Sequence, residues 1–176
     1  LTQARQHLDL PELLCAATGL HERDGAMLTD SATDELGSLT VTEPAPGVLE
    51  VVVRGKLSPA VGAVFPRYAR AAALHQERYS VFLDVRGLKA FHGAVRAAWI
   101  DTVREHRVQI DEVVVLSSDL LVTLSARAAS VALAAHGLRF DVLTDERRYL
   151  DRRSRRVGPF APAATSAIAS VHPAAA

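Results

Sequence analysis

The sequence predicts an α/β fold: a mixed sheet that opens with an antiparallel hairpin, continues in βα units and carries helices packed on it. Three observations predict it. Tyr79–Arg86, YSVFLDVR, is a β-branched and aromatic run leading through Gly87-Leu88 to an amphipathic stretch after Gly93, which reads as a strand and then a helix. The same unit recurs at Glu112–Ala135, and repeated βα units build a parallel, helix-covered sheet. Ahead of both, Ser38–Glu43 and Val48–Arg54 are β-rich and joined only by Pro44-Ala45-Pro46-Gly47, short enough to make them antiparallel neighbours.

The elements follow in order. Leu1–Leu20 has the apolar content of a short helix that Pro11 interrupts and Gly19 ends. His21–Gly37 is acidic and polar and is expected to be a linker, so residues 1–37 form an N-terminal extension. The α/β domain is expected over 38–156. In its hairpin Leu49, Val51 and Val53 share one face. Gly55-Lys56-Leu57 breaks the strand, Ser58 caps a helix and Pro59 suits its first turn. Pro66 divides this helical region into a short turn and a main helix to about His75.

After the Tyr79–Arg86 strand, Val95, Ala98, Trp99, Thr102, Val103 and His106 define one helical face. Val113–Leu116 is the next strand, and Ser117-Ser118-Asp119 supplies N-caps. Leu121, Leu124, Ala128, Val131, Ala132 and Ala135 are expected to pack the following helix on the sheet, with Gly137 ending it. Leu138–Leu143 is the last strand and Glu146–Arg153 a short basic helix. Residues 157–176, rich in alanine and proline, are expected to be a flexible tail.

Composition bounds the function. The 176 residues suffice for one domain that buries roughly two-thirds of its unfolded surface. Zero formal net charge provides no global field for nucleic acid or acidic membranes, so partners must be recognised locally. Cys15 is the only cysteine, which excludes an intramolecular disulfide and a multi-cysteine zinc site. No apolar run approaches the ~20 residues of a membrane span, and Leu1–Leu20 lacks the pattern of a secretory signal. A cytoplasmic location is the expectation. The seven histidines form no helical ligand pair, and Gly87 and Gly93 are too far apart for a phosphate-binding fingerprint, so neither a metal nor a cofactor is expected.

Two antiparallel strands, a helix, a strand ending on Asp84, then alternating helices and strands, together resemble the STAS domain of bacterial anti-sigma-factor antagonists. The residues that carry the resemblance are Gly47–Leu57, GVLEVVVRGKL, and Phe82–Leu88, FLDVRGL. It covers about Ser38 to Arg153. The resemblance implies a regulatory domain that docks a protein partner at the strand-to-helix loop, where the family ordinarily bears a phosphorylatable Asp-Ser or Asp-Thr. Here the loop reads Ala90-Phe91-His92-Gly93-Ala94-Val95, and no hydroxyl stands between Ser80 and Thr102. The phosphoswitch is therefore not carried over.

The leading expectation is a non-enzymatic interaction module that binds a protein partner or its own copy. Phe91, His92, Val95, Arg96 and Trp99 are the expected partner-binding residues, because Phe91 offers an apolar anchor and the family uses this region. A homo-oligomer is expected from the open sheet edge and the oppositely charged ends. Two alternatives stand beside it. One is a carrier of a small apolar, lipid-like ligand, with a pocket between the Pro66–His75 and Gly93–His106 helices. The other is a weak hydrolase using Asp84 and His92, although no nucleophile or second carboxylate stands near them in sequence. Arg147–Arg156 carries six arginines against Asp151, so Arg152, Arg153, Arg155 and Arg156, with Ser118 and Asp119 at a helix mouth, are the candidate anion contacts. Tyr149 alone is too little for base stacking, and nucleic acid is not the expected partner.

Overall fold

The computed structural model describes residues 29–158; the segments expected to form the first helix and most of the tail lie outside them. The chain runs β1 (Thr29–Thr33), β2 (Gly37–Ala45), β3 (Val48–Leu57), α1 (Pro59–Gly62), α2 (Val64–His75), β4 (Tyr79–Phe91), α3 (Gly93–Glu105), β5 (Ile110–Leu116), α4 (Leu120–Ala134), β6 (Arg139–Leu143) and α5 (Glu146–Val157). One sheet holds all six strands in sequence order. The first three are antiparallel neighbours, and β3 to β6 are parallel. This is the mixed α/β fold expected from the sequence.

Three successive parallel crossovers advance across the sheet in one direction, and right-handed connections then place all their helices on one face. The alternation of strand residues shows it. Leu39, Val41, Leu49, Val51, Val53, Val81, Leu83, Val113 and Val115 share a core with Val61, Phe65 and Tyr68 of α1 and α2, Val95 and Val103 of α3 and Leu133 of α4. The intervening positions Val48, Phe82, Val114 and Leu116 form a second cluster with Tyr149, so α5 covers the opposite face. Each such fully buried side chain contributes about 1.5–3 kcal/mol relative to exposure.

Local signals act as expected at several points. Pro46-Gly47 closes the β2–β3 hairpin, with Gly47 at φ 77°. The Ser58 hydroxyl accepts from Val61 N–H at 3.3 Å, Pro59 opens α1, and α2 begins separately at Val64. Asp119 caps α4 and Asp145 caps α5.

Four expectations differ from the structure. The sheet begins inside the stretch read as a linker, because Thr29–Thr33 pairs antiparallel with Ser38–Thr42; an edge strand needs no apolar run. The strands β3 and β4 run on through Leu57 and Phe91. Gly55, at φ 73°, lets β3 bulge instead of ending, and Lys56 and Leu57 keep pace with Ala90 and Phe91. Helix α4 turns the other way, placing Val122, Ala126 and Leu133 against the core and leaving Leu121, Leu124 and Val131 in solvent. Finally, Arg152, Arg153 and Arg156 of α5, expected as anion contacts, are engaged by carboxylates of the sheet.

Candidate functional site

The extended ladder delivers Phe91 to the mouth of α3. His92 is the N-cap, its Nδ1 accepting from Ala94 N–H at 3.3 Å. Val95 is only 4% exposed and sits over Gly62, where an added Cβ would stand 2.6 Å from Val95 Cγ1. The indole N–H of Trp99 donates to the Gly62 carbonyl at 2.8 Å, and its ring lies 5.0 Å from that of Phe65. Val95 and Trp99 therefore fasten α3 to α1 and α2. Of the five residues expected to meet a partner, His92 and Arg96 are exposed, Phe91 and Trp99 half-buried and Val95 buried.

Beside this rim an apolar cleft of about 120 Å³ opens between α3 and α4. Its floor is Leu83, Val85, Val113 and Val115; Phe91, Trp99 and Ile100 form one wall, and Val122, Ala126 and Ala129 the other. Arg96 is the single charged side chain at its edge, and among the described residues nothing pairs with its guanidinium. The cleft lies one helix further along than the pocket expected between the Pro66–His75 and Gly93–His106 helices. In that expected place α2 and α3 are in contact, with Phe65 and Trp99 ring to ring.

Helix α4 is apolar all round. Leu120 and Leu121 are 71% and 76% exposed, Leu124 52% and Val131 74%, all turned away from the cleft, while Arg127 is the only charged residue of the helix. Sequence periodicity detected this stripe but assigned it to the core. Both faces carry apolar residues at helical spacing, so the period has no preferred side.

Asp84 lies buried at the end of the β4 core run, on the α5 face. Arg86 donates to it from its backbone N–H, Nε and Nη2 at 3.1, 3.0 and 2.9 Å, and Arg54 stands at 3.5 Å. Burial raises its pKa, but the hydrogen bonds from Arg86 and the charges of Arg86 and Arg54 outweigh that, and the carboxyl is held below its usual value. Arg86 also reaches Glu146 of α5 at 2.7 Å, and its own pKa is raised, first by the bond to Asp84. Both Asp84 oxygens are thus committed to guanidiniums, and Nδ1 of His92 to its cap.

The arginines of α5 face carboxylates on the alternate positions of the strands. Glu112, buried, accepts from Arg152 Nε and Arg156 Nε, each at 2.8 Å. Arg152 also reaches Asp141 at 2.5 Å, and Arg153 reaches Glu50 at 2.7 Å. Arg155 pairs with Asp151 on the exposed side. Ser118 and Asp119 follow the C-terminal end of β5, whereas Glu112 lies at its start, so the six candidate anion contacts do not converge. Asp119 moreover fills the mouth of α4 with its own carboxylate, accepting from Val122 N–H at 3.0 Å. A charge inside a buried strand demands a partner, and Glu50 in LEVVV and Glu112 in DEVVV were the signals that could have located the arginines.

Among the described residues no group of three or more histidine, cysteine or acidic side chains is arranged to hold a metal ion. No helix among them is long and apolar enough to cross a membrane. No protein-family model matches the sequence, and no curated protein matches it. Among solved structures the chain is similar to an uncharacterized DUF3478-family protein with a SpoIIAA-like fold from Shewanella loihica PV-4. That similarity has 15% identity and a TM-score of 0.49, and covers 72% of this chain and 93% of that one. It is also similar to an anti-sigma factor antagonist from Mycobacterium paratuberculosis, at 10% identity and a TM-score of 0.42, over 75% of this chain and 97% of that one. The chain has the STAS-like order of elements that its sequence implied, extended at the front by β1.

Proposed function

We propose that the chain is a non-enzymatic regulatory module of the bacterial cytoplasm that takes an apolar side chain of a protein partner into the cleft between α3 and α4. The observation that carries this reading is the size and lining of the cleft. About 120 Å³ of apolar space accommodates a single aliphatic or aromatic side chain, near the ~150 Å³ that holds a benzene ring. Drug-sized or lipid-like ligands take pockets of roughly 300 Å³ or more, which disfavours the carrier alternative. Arg96 at the edge adds a contact for an acidic residue flanking the apolar anchor. Phe91 and His92 extend the same rim.

The hydrolase alternative is disfavoured because Asp84 is locked in its charged form by two arginines and offers no free oxygen to accept a proton. The β4–α3 junction contains no hydroxyl, so regulation of this module proceeds without phosphate at that loop.

Filling the cleft tests the proposal. Capture from the source cell is compared for the wild type, Ala126→Phe, which plugs the cleft, and Arg70→Ala, whose side chain lies on α2. A partner held by the wild type and Arg70→Ala but lost by Ala126→Phe supports it. Capture unaffected by the plug sinks it. Native mass spectrometry of the purified protein addresses the carrier alternative: a co-purifying amphiphile that disappears in Ala126→Phe would favour that reading instead.

A further inference from the structure

The loops that lead into β4, β5 and β6 meet the end of α5 at the opposite end of the sheet from the Phe91 rim. Parallel topology gathers them, because each of these strands starts where the preceding helix has returned. Each loop brings a cation. Arg78 precedes β4, Arg107 precedes β5, His136 and Arg139 flank the turn into β6, and Arg156 stands in the last turn of α5. Together they line an open basin of about 620 Å³ in which Asp111 is the one carboxylate. The basin shares no lining residue with the cleft between α3 and α4.

Structural demands account for part of this charge. Cations are favoured near helix C-termini, and Arg107 Nη1 donates to the Arg104 carbonyl at 3.2 Å. Asp111 receives Arg78 Nε at 3.0 Å and stands 3.5 Å from Arg156 Nη1, while Arg156 Nε is engaged by Glu112. One carboxylate does not balance four guanidiniums, however. The guanidinium of Arg139 and the imidazole of His136 have no partner among the described residues. Each guanidinium carries five N–H donors, so most of the donors around the basin remain open. Like charges converging on one space in a chain of zero net charge form a local field that attracts an anion.

The lining selects the kind of anion. Guanidinium forks match pairs of phosphate oxygens. No aromatic ring borders the basin, and Val108 is its only exposed apolar side chain, so nothing there receives a nucleobase or an acyl chain. A lone phosphate occupies one or two forks, whereas four around a space of this size suit adjacent phosphates. Of the residues expected from the sequence as anion contacts, only Arg156 takes part. We propose that this basin binds a small polyanion with two or more linked phosphate groups, held by Arg78, Arg107, Arg139 and Arg156. Asp111 itself repels the ligand; its part is to hold Arg78 and Arg156 in place.

Calorimetric titration of the full chain with tripolyphosphate tests the site. The wild type is expected to bind it at least about tenfold more tightly than orthophosphate, and more weakly as salt rises from about 50 to about 200 mM. The double variant Arg107→Gln and Arg139→Gln removes two guanidiniums that pair with no carboxylate among the described residues. It is expected to lose about tenfold or more in affinity with unchanged circular dichroism. Arg127→Gln with Arg147→Gln removes the same charge from exposed positions outside the basin and is expected to bind as the wild type does. A wild type that takes up no tripolyphosphate at about 1 mM overturns the proposal. Equal losses in the two double variants overturn it as well, since binding then follows net charge alone. Orthophosphate binding as tightly as tripolyphosphate rejects the polyanion. Binding of a hexaglutamate peptide or of phosphatidylglycerol vesicles in preference to tripolyphosphate rejects the small ligand in favour of a protein or membrane surface.

Discussion

Arg153 and Glu50, 103 residues apart, are joined by a hydrogen-bonded ion pair of 2.7 Å that ties the last helix to the third strand. Both side chains are mostly shielded from water, and the neighbouring pairs of Glu112 with Arg152 and Arg156 lie on the same face of the sheet. The arginine run of α5 is thus the counter-charge for carboxylates that the strands bury. Replacing Glu112 by Gln removes one acceptor set from two arginines, each of which keeps a second carboxylate, Asp141 or Asp111. The expected loss is about 1–3 kcal/mol in urea denaturation, less than for a buried pair left wholly uncompensated.

Tyr149 is the apolar anchor of α5, its ring edge-on to Phe82 with centroids 5.8 Å apart. Tyr149→Ala is expected to cost about 3–5 kcal/mol, as for other buried aromatics. Its hydroxyl, however, is buried without a hydrogen-bond partner among the described residues. Tyr149→Phe removes that unsatisfied group and keeps the ring, so it is expected to be neutral or stabilising in thermal melts. A loss above about 1 kcal/mol would mean that the hydroxyl has a partner.

The carboxyl of Asp84 has a lowered pKa in the folded chain against about 3.9 when unfolded. Its contribution is therefore complete above the unfolded value and disappears as pH falls through the folded one. Stability measured between about pH 5 and pH 2 is expected to fall less steeply in Asp84→Asn than in the wild type. At neutral pH the variant is expected to be less stable by about 1–3 kcal/mol, since Arg86 keeps only Glu146. Parallel acid limbs in the two proteins would contradict this assignment.

Gly55 sits at φ 73°, and an added Cβ would stand 2.4 Å from the Leu36 carbonyl oxygen. Gly55→Ala combines backbone strain with a clash against main chain that has no room to yield, and is expected to destabilise by about 2 kcal/mol or more. Because Gly55 lies where β3 bulges before Leu57 and Phe91 pair, hydrogen exchange should quicken at Lys56 and His92 before it does in β5.

The strands and most helix starts were legible because β-branched runs and Ser, Asp and Pro signals at α1, α4 and α5 act locally. The rest depends on neighbours. Thr29–Thr33 is polar and becomes a strand only because β2 offers an edge. Ala90 and Phe91 read as loop, yet remain in β4 because the bulge at Gly55 keeps β3 alongside. Val95 and Trp99 stood in the sequence both on the packing face of a helix and among the partner-binding candidates, and their contacts with Gly62, which no spacing announces, belong to the packing face. The cleft escaped notice because the sequence pattern assigned the Leu121–Val131 stripe of α4 to the core, and not Val122 and Ala126, which form the cleft wall.

The strict left-to-right order of the six strands also bears on synthesis. As the chain leaves the ribosome, each strand finds its neighbour already made, so the sheet grows by accretion with little long-distance search. Among the described residues the one long-distance closure is α5, whose anchors on β3, β4 and β5 were translated well before it. Until that helix emerges, Phe82, Val114 and Leu116 stay bare, and a transcript cut short before Tyr149 yields a product with a sticky, acidic back suited to capture by chaperones.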